Sequence, residues 1–236
     1  MLTPEQISQL SPMMQQYLEI KNQHKDQILF FRLGDFYEMF FDDAVLVSRE
    51  LELTLTGREC GLPERAPMCG VPFHSAESYI DRLIKKGYKV AICEQMENPA
   101  LAKGLVKRDI IRVVTPGTLI DSSLLDEGAN NYICCVYSGR EGFGLSFGDI
   151  TTGEMNVTQL PGGDDSRVMG ELGKFAPREI IFNESFLEKK EITSFIREKL
   201  SCTADILEDD RFGAASAQLE ILRQFKESVI ASIRNS

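Results

Sequence analysis

Apolar positions in the first half of the chain change their period several times, and each change marks an element. Thr3-Pro4-Glu5 and Ser11-Pro12 each set a capping residue before a proline suited to a first helical position, so two helices are expected at the start. Met13, Met14, Tyr17 and Leu18, with the stem of Lys21, give the second helix an apolar side. Ile28–Leu33 reads as a buried strand. Gly34 then supplies a tight turn, Asp35 an N-cap and Glu38 the far side of a capping box, which predicts a helix opening at Asp35. Its inward stripe is Phe40, Ala44, Val47 and Leu51. A strand is expected over Leu51–Thr56 and a loop over Gly57–Pro67. A helix starting at Ser75 turns Tyr79, Ile80, Leu83 and Ile84 inward and ends at Gly87. Strands over Tyr88–Cys93 and Ile110–Val114 follow, closed by Pro116-Gly117. Alternating strands and helices make this a mixed α/β unit.

Asp121–Asn131 is polar, acidic and without periodicity, which puts a domain boundary there: residues 1–120, a linker over 121–130, and residues 131–236. The second part begins with strands Tyr132–Tyr137, Phe143–Asp149 and Glu154–Leu160, joined by short turn-rich links. A helix over Ser166–Phe175, a strand over Glu179–Phe182, a helix near Phe186–Lys199, a strand over Thr203–Ile206 and a helix over Ala214–Arg234 complete it. The order βββαβαβα is that of a ribonuclease H-like fold. The predicted fold class is thus α/β, a mixed α/β domain followed by a ribonuclease H-like one.

The 236 residues are 43% hydrophobic and 26% charged, ordinary for a globular chain. No apolar run is long enough to span a bilayer and no signal pattern opens the chain, so a cytoplasmic location is expected. The six cysteines include no Cys-x-x-Cys pair and have only His24 and His74 to join them, which favours reduced thiols over a zinc site. The net charge is −10, but it is uneven. Up to Pro116 there are 14 Lys and Arg against 16 Asp and Glu; beyond it there are 12 against 20. Lys85, Lys86, Lys89, Lys103, Lys107, Arg108 and Arg112 face only Glu94, Glu97 and Asp109 in sequence, which predicts a basic face able to meet phosphates. Lys107 and Arg108 are candidate phosphate contacts on that ground.

Phe36 and Glu38 are the residues with the most pointed chemistry. As a capping box beside a corner contact they would need no further role. A ring that protrudes past a packed layer can also enter a base stack while a nearby carboxylate reads the base edge. The segment Gly34-Asp-Phe-Tyr-Glu-Met-Phe40 resembles the mismatch-recognition signature of the bacterial DNA mismatch repair protein MutS family. The likeness continues through Ala66-Pro-Met-Cys-Gly-Val-Pro-Phe-His74, Val90-Ala-Ile-Cys-Glu-Gln95 and Arg112-Val-Val-Thr-Pro-Gly-Thr118, and more loosely to the end of the chain.

The resemblance implies a mismatch-recognition domain followed by a connector domain, with Phe36 wedged from the minor-groove side at a kinked step. Glu38 could accept from a thymine or guanine ring N–H or, holding a proton, donate to a purine. Arg58 and Met68 are implied as backbone and groove contacts. MutL is the implied partner of the connector, and self-association as a dimer is implied for the whole protein. So are ATP and magnesium, with a nucleoid-associated bacterial setting. No Gly-x4-Gly-Lys-Ser/Thr loop is present and no helix stop precedes Ser236, so the chain is expected to be a piece lacking lever, clamp and ATPase, with no cofactor or catalytic motif of its own. A ribonuclease H-like module also invites a two-metal nuclease. Asp149 could be one ligand, yet Tyr132–Tyr137 has no carboxylate where a central ligand belongs, and Asp205 stands isolated among acidic residues that read as surface charge.

Overall fold

The computed structural model describes residues 3–99, 101–102, 104–119 and 130–225. They divide into two compact units, Met1–Thr115 and Pro116–Ser236.

In the first unit α1 (Pro4–Gln9) begins with a reciprocal capping box, Thr3 accepting from the Gln6 N–H and the Gln6 side chain accepting from the Thr3 N–H. Helix α2 (Pro12–Gln23) follows Ser11, whose side chain makes no capping bond. The rest is built from β1 (Ile28–Leu33), β2 (Phe36–Phe40), α3 (Phe41–Leu51), β3 (Thr56–Arg58), β4 (Ala66–Pro72), α4 (Ala76–Lys85), β5 (Val90–Gln95) and β6 (Arg108–Val114). The strands form one sheet in the order β3-β4-β2-β1-β5-β6, with β1 and β5 parallel and the other pairs antiparallel. Helix α4 ends as Gly87 allows: its φ of 85° lets the Gly87 N–H reach Ile84 O and the Tyr88 N–H reach Leu83 O.

One expectation fails here. No helix opens at Asp35; Phe36–Phe40 is a strand, and the helix starts at Phe41. Gly34 and Asp35 are the two residues of a hairpin turn, with Gly34 at φ 57° in the first central position and Leu33 paired to Phe36. Glycine followed by aspartate serves a tight turn as well as a helix entry. Pairing on both sides of β2 decides for the strand, which no local signal reveals. The stripe Phe40, Ala44, Val47, Leu51 is buried all the same, because Phe40 is the N-cap of α3. For the same reason the expected strand over Leu51–Thr56 becomes the end of α3, with Glu52 left-handed at its C-cap, and β3 is shorter and later.

The sheet is buried on both faces. Leu29, Phe31, Phe40, Ala91 and Cys93 pack with Leu10, Met14 and Tyr17 of the amino-terminal helices. Helix α3 lies against β2 and β4, where the Cys69 thiol donates to Ala44 O at 3.5 Å. Asp43, in the first turn of α3, ties these parts together. Its carboxylate is buried and accepts from the Leu29 N–H at 2.9 Å, from Lys21 Nζ at 2.9 Å and from the Tyr17 hydroxyl at 3.2 Å. The helix N-terminus adds a favourable field.

The second unit consists of β7 (Tyr132–Gly139), β8 (Gly142–Asp149), β9 (Glu154–Pro161), α5 (Asp165–Phe175), β10 (Glu179–Asn183), α6 (Lys190–Lys199), β11 (Thr203–Leu207) and α7 (Ala214–Gln224). The sheet order is β11-β10-β7-β8-β9, with the first three parallel and β7, β8 and β9 antiparallel, so the expected βββαβαβα order is observed. Gly142 turns the first hairpin at φ 143°, where a Cβ would come within 2.1 Å of Leu160 O. Val136, Leu145, Phe147, Ile180, Leu172, Ile192 and Ile196 form its core. The helix expected near Phe186–Lys199 is a 3-10 turn over Glu184–Glu188 and then α6, since the chain pauses to bury Phe186. The expected run of α7 on to Arg234 lies outside the described residues, as does most of the expected linker. The division between units falls at Thr115/Pro116, because Pro116–Thr118 belongs with β7 and β10: Gly117 N–H donates to Glu179 at 3.0 Å and Asn131 to Pro116 O at 3.0 Å.

Asp43→Ala should destabilise the first unit by about 3 kcal/mol, because it removes the counter-charge of the Lys21 ammonium, which keeps only Gln27 O, and leaves the buried Leu29 N–H without its acceptor. Urea denaturation of both proteins checks this.

Candidate nucleic-acid interface

The register of β2 sorts its residues onto two faces. Tyr37 and Met39 point into the core, at 7% and 0% exposure. Phe36, Glu38 and Phe40 share the other face, opposite Leu33, Phe31 and Met68 respectively. That face is closed at the Phe40 end by Tyr17, whose ring meets Phe40 edge-on at 5.0 Å. It is open at the Phe36 end. Phe36 is 46% exposed, large and apolar, directly beyond the Gly34 turn. It therefore protrudes from the end of a strand rather than from the first turn of a helix.

Glu38 lies between the open and closed ends. Its neighbour on β4 is Gly70, where a Cβ would stand 3.4 Å from the Glu38 Cγ and 3.2 Å from Tyr37 O. The bare backbone lets the stem of Glu38 pack closely over β4. Arg58 closes on the carboxylate from β3, with β4 between them: its Nη1 donates to Glu38 Oε2 at 2.6 Å. Met68 shares this face and is partly buried, its carbonyl accepting from Thr56 Oγ1 at 3.1 Å.

The two cations assigned from charge and position part company. Lys107 is exposed, and its N–H donates to Glu97 at 2.7 Å. Arg108 is buried at 8% exposure and spends its donors inside the unit, on Arg32 O at 2.9 Å, Gln16 Oε1 at 2.9 Å and Val106 O at 3.1 Å. Its guanidinium lies 4.8 Å from the Phe31 ring centroid. Burial lowers its pKa, with the nearby Arg58 charge acting in the same direction. Arg108 thus fastens α2 to β1 instead of facing outward. The expected basic face is weakened further by pairing: Lys85 with Asp81 at 3.0 Å, Lys86 with Glu50 at 2.9 Å and Lys89 with Asp26 at 3.4 Å. Asp81 lies one helical turn before Lys85, while Glu50 and Asp26 come from elsewhere in the chain.

Behind the open end lies a group that sequence reasoning missed. Arg32 Nε donates to Gly34 O at 2.5 Å, its Nη1 meets Glu94 at 3.2 Å, and its guanidinium stacks 3.7 Å from the Phe73 ring centroid. Phe73 in turn donates its N–H to Asp35 O at 2.9 Å. The Tyr37 hydroxyl donates a short bond to Glu94; burial and this carboxylate push the phenol up to about 12. Together they hold both residues of the Gly34-Asp35 turn. An arginine inside an otherwise apolar strand was the available signal.

In the second unit Asp149 pairs across from Tyr132 and is buried, accepting from the Asn131 N–H at 3.0 Å and from the Thr151 N–H at 2.8 Å. Asp205 pairs with Ile181, which pairs with Cys135. Because neighbours in register share a face, Asp149 lies on the Tyr132 and Cys134 side and Asp205 on the opposite side. The two carboxylates cannot bind one metal pair. Among the described residues no three His, Cys, Asp or Glu are grouped as a metal would require. The six cysteines are free, and burial pushes Cys69 up to about 11 and Cys93 to about 12. No helix among the described residues is long and apolar enough to cross a membrane.

Comparison with known proteins bears on both units. MutS domain I matches residues 11–123, and MutS domain II matches residues 131–235. The chain belongs to the MutS family. The DNA mismatch repair protein MutS of Acetivibrio thermocellus is 55% identical over 225 residues, which are 95% of this chain and 26% of that protein. Its namesake in Clostridium kluyveri is 61% identical over 178 residues, 74% of this chain and 20% of that protein. The chain thus spans about a quarter of the length of such MutS relatives. Phe36, Glu38, Arg58, Met68, Lys107 and Arg108 all fall within the MutS domain I match, and Asp149 and Asp205 within that of domain II.

Tyr37→Phe removes a charge-assisted hydrogen bond from the group behind the turn and should cost about 2 kcal/mol of stability, read as a lower urea midpoint.

Proposed function

We propose that this chain recognises mismatched or unpaired bases in duplex DNA, with Phe36 as the wedge and Glu38 as the group that reads the displaced base. The observation that carries the reading is the pairing of a half-exposed ring and a carboxylate on one face of a doubly paired strand. A mispaired step has lost hydrogen bonding and stacking, so prising it open and kinking the duplex costs less than at a matched step. Stacking on Phe36 accepts any base, which suits recognition of many mismatches. Glu38 adds direction, accepting a ring N–H or, protonated, donating to a purine nitrogen.

Lys107 is a cation available to phosphates, Arg58 becomes one when it leaves Glu38, and Met68 is a groove contact on the face that carries Phe36. Arg108 acts from within, by fixing α2 against β1. The second unit is proposed to be the connector, which passes signals between domains and meets MutL; its excess of acidic residues suits a protein partner better than DNA. For the whole protein we propose a dimer around the duplex, an ATPase using ATP with magnesium, and a cytoplasmic site of action.

Fluorescence anisotropy at low salt should show tighter binding to a duplex with one unpaired thymine than to its matched twin. Phe36→Ala should abolish that preference, weakening mismatch binding roughly tenfold or more, as the loss of one base–aromatic stack implies. Equal binding of both duplexes by both proteins would mean phosphate attraction alone. Glu38→Gln should keep mismatch binding and Glu38→Ala should alter discrimination; identical behaviour of the two would remove the proton-donor role.

A further inference from the structure

We infer that Arg58 is a specificity-determining residue which exchanges partners on recognition: it neutralises Glu38 in the free chain and is released to a phosphate only when a base replaces it. This rests on the proposed mismatch reading. The observation behind it is the 2.6 Å ion pair formed across β4, with Glu38 at 15% side-chain exposure and Arg58 at 38%. Oε2 of the carboxylate that would read the base already accepts from Arg58, so turning that oxygen to a base breaks this pair.

Consider what replaces the guanidinium at each kind of step. In a matched pair the ring N–H of thymine or guanine is engaged with its complement. Glu38 would leave Arg58 for nothing, close to a polyanion, and a half-buried carboxylate without a partner is costly. The pair stays closed, and Arg58 is withheld from the backbone. At a mismatch the displaced base offers a free ring N–H, Glu38 turns to it, and Arg58 is left as a cation whose nearest available anions are phosphates. Arg108 is held away from this exchange, with its Nε and Nη1 donors on Arg32 O, Gln16 and Val106 O. One event thus adds two contacts, both confined to mismatched DNA.

Salt dependence separates this exchange from a standing phosphate contact. Each phosphate neutralised steepens the fall of log binding constant with log salt by about 0.9. Anisotropy titrations over a salt series, with the mismatched and matched duplexes, should give a wild-type slope about 0.9 steeper for the mismatch. Arg58→Met should bring both duplexes to the shallower slope. Glu38→Gln should bring both to the steeper one, because Arg58 is then free on any DNA. Equal slopes for the two duplexes in a wild type that still prefers the mismatch would overturn the exchange and leave the recognition reading intact. An Arg58→Met variant that lowers both slopes equally would also overturn it, making Arg58 a constant backbone contact. A wild type with no preference for the mismatch would instead defeat the recognition reading itself, and the exchange with it.

Discussion

Because β2 is hydrogen-bonded on both sides, its side chains cannot shift by one residue without taking Tyr37 and Met39 out of their own packing to the opposite face. Burial of those two residues therefore fixes the direction of the residues between them. Phe36 and Glu38 face the open end of the sheet as a consequence of what their neighbours bury. The ring and the carboxylate are held by a strand paired on both sides. Asp43 reinforces the constraint from the other end, binding β1, α2 and α3 through one buried carboxylate.

The second unit reached its expected order of elements, while the first did not entirely do so, and the difference is physical. Strand β8 alternates clearly, burying Phe143, Leu145 and Phe147 between small or polar residues, and short turns separate β7, β8 and β9. In the first unit both faces of the sheet are covered, so the strands read as apolar runs without a period. A run beginning Gly-Asp and followed by Phe-Tyr-Glu then satisfies helix-entry and hairpin signals equally. Only the pairing with β4, some thirty residues later, distinguishes them, and sequence proximity carries no trace of it.

The candidate site was legible in part for a related reason. Phe36 and Glu38 were visible as residue types in a motif, and the error about their element did not move them. The cations were harder, because charge belongs to neighbourhoods in space. Arg108 reads as one of several basic residues in a row and turns out to be an internal fastening. Arg58 reads as a loop cation and turns out to be paired with the carboxylate it lies near. Arg32, set in an apolar strand, was the least conspicuous of these and is the one that holds the turn.

That turn is only two residues long, and its carbonyls are bound by Arg32 and Phe73. A ring carried on a long loop would lose its freedom at the moment it entered a base stack, and affinity would fall by that loss. Here the backbone that presents Phe36 has surrendered its freedom during folding. On the proposed reading the ring would meet the duplex on a backbone already ordered, so what remains to be set against binding would be the disruption of the DNA, the quantity that differs between sound and damaged steps.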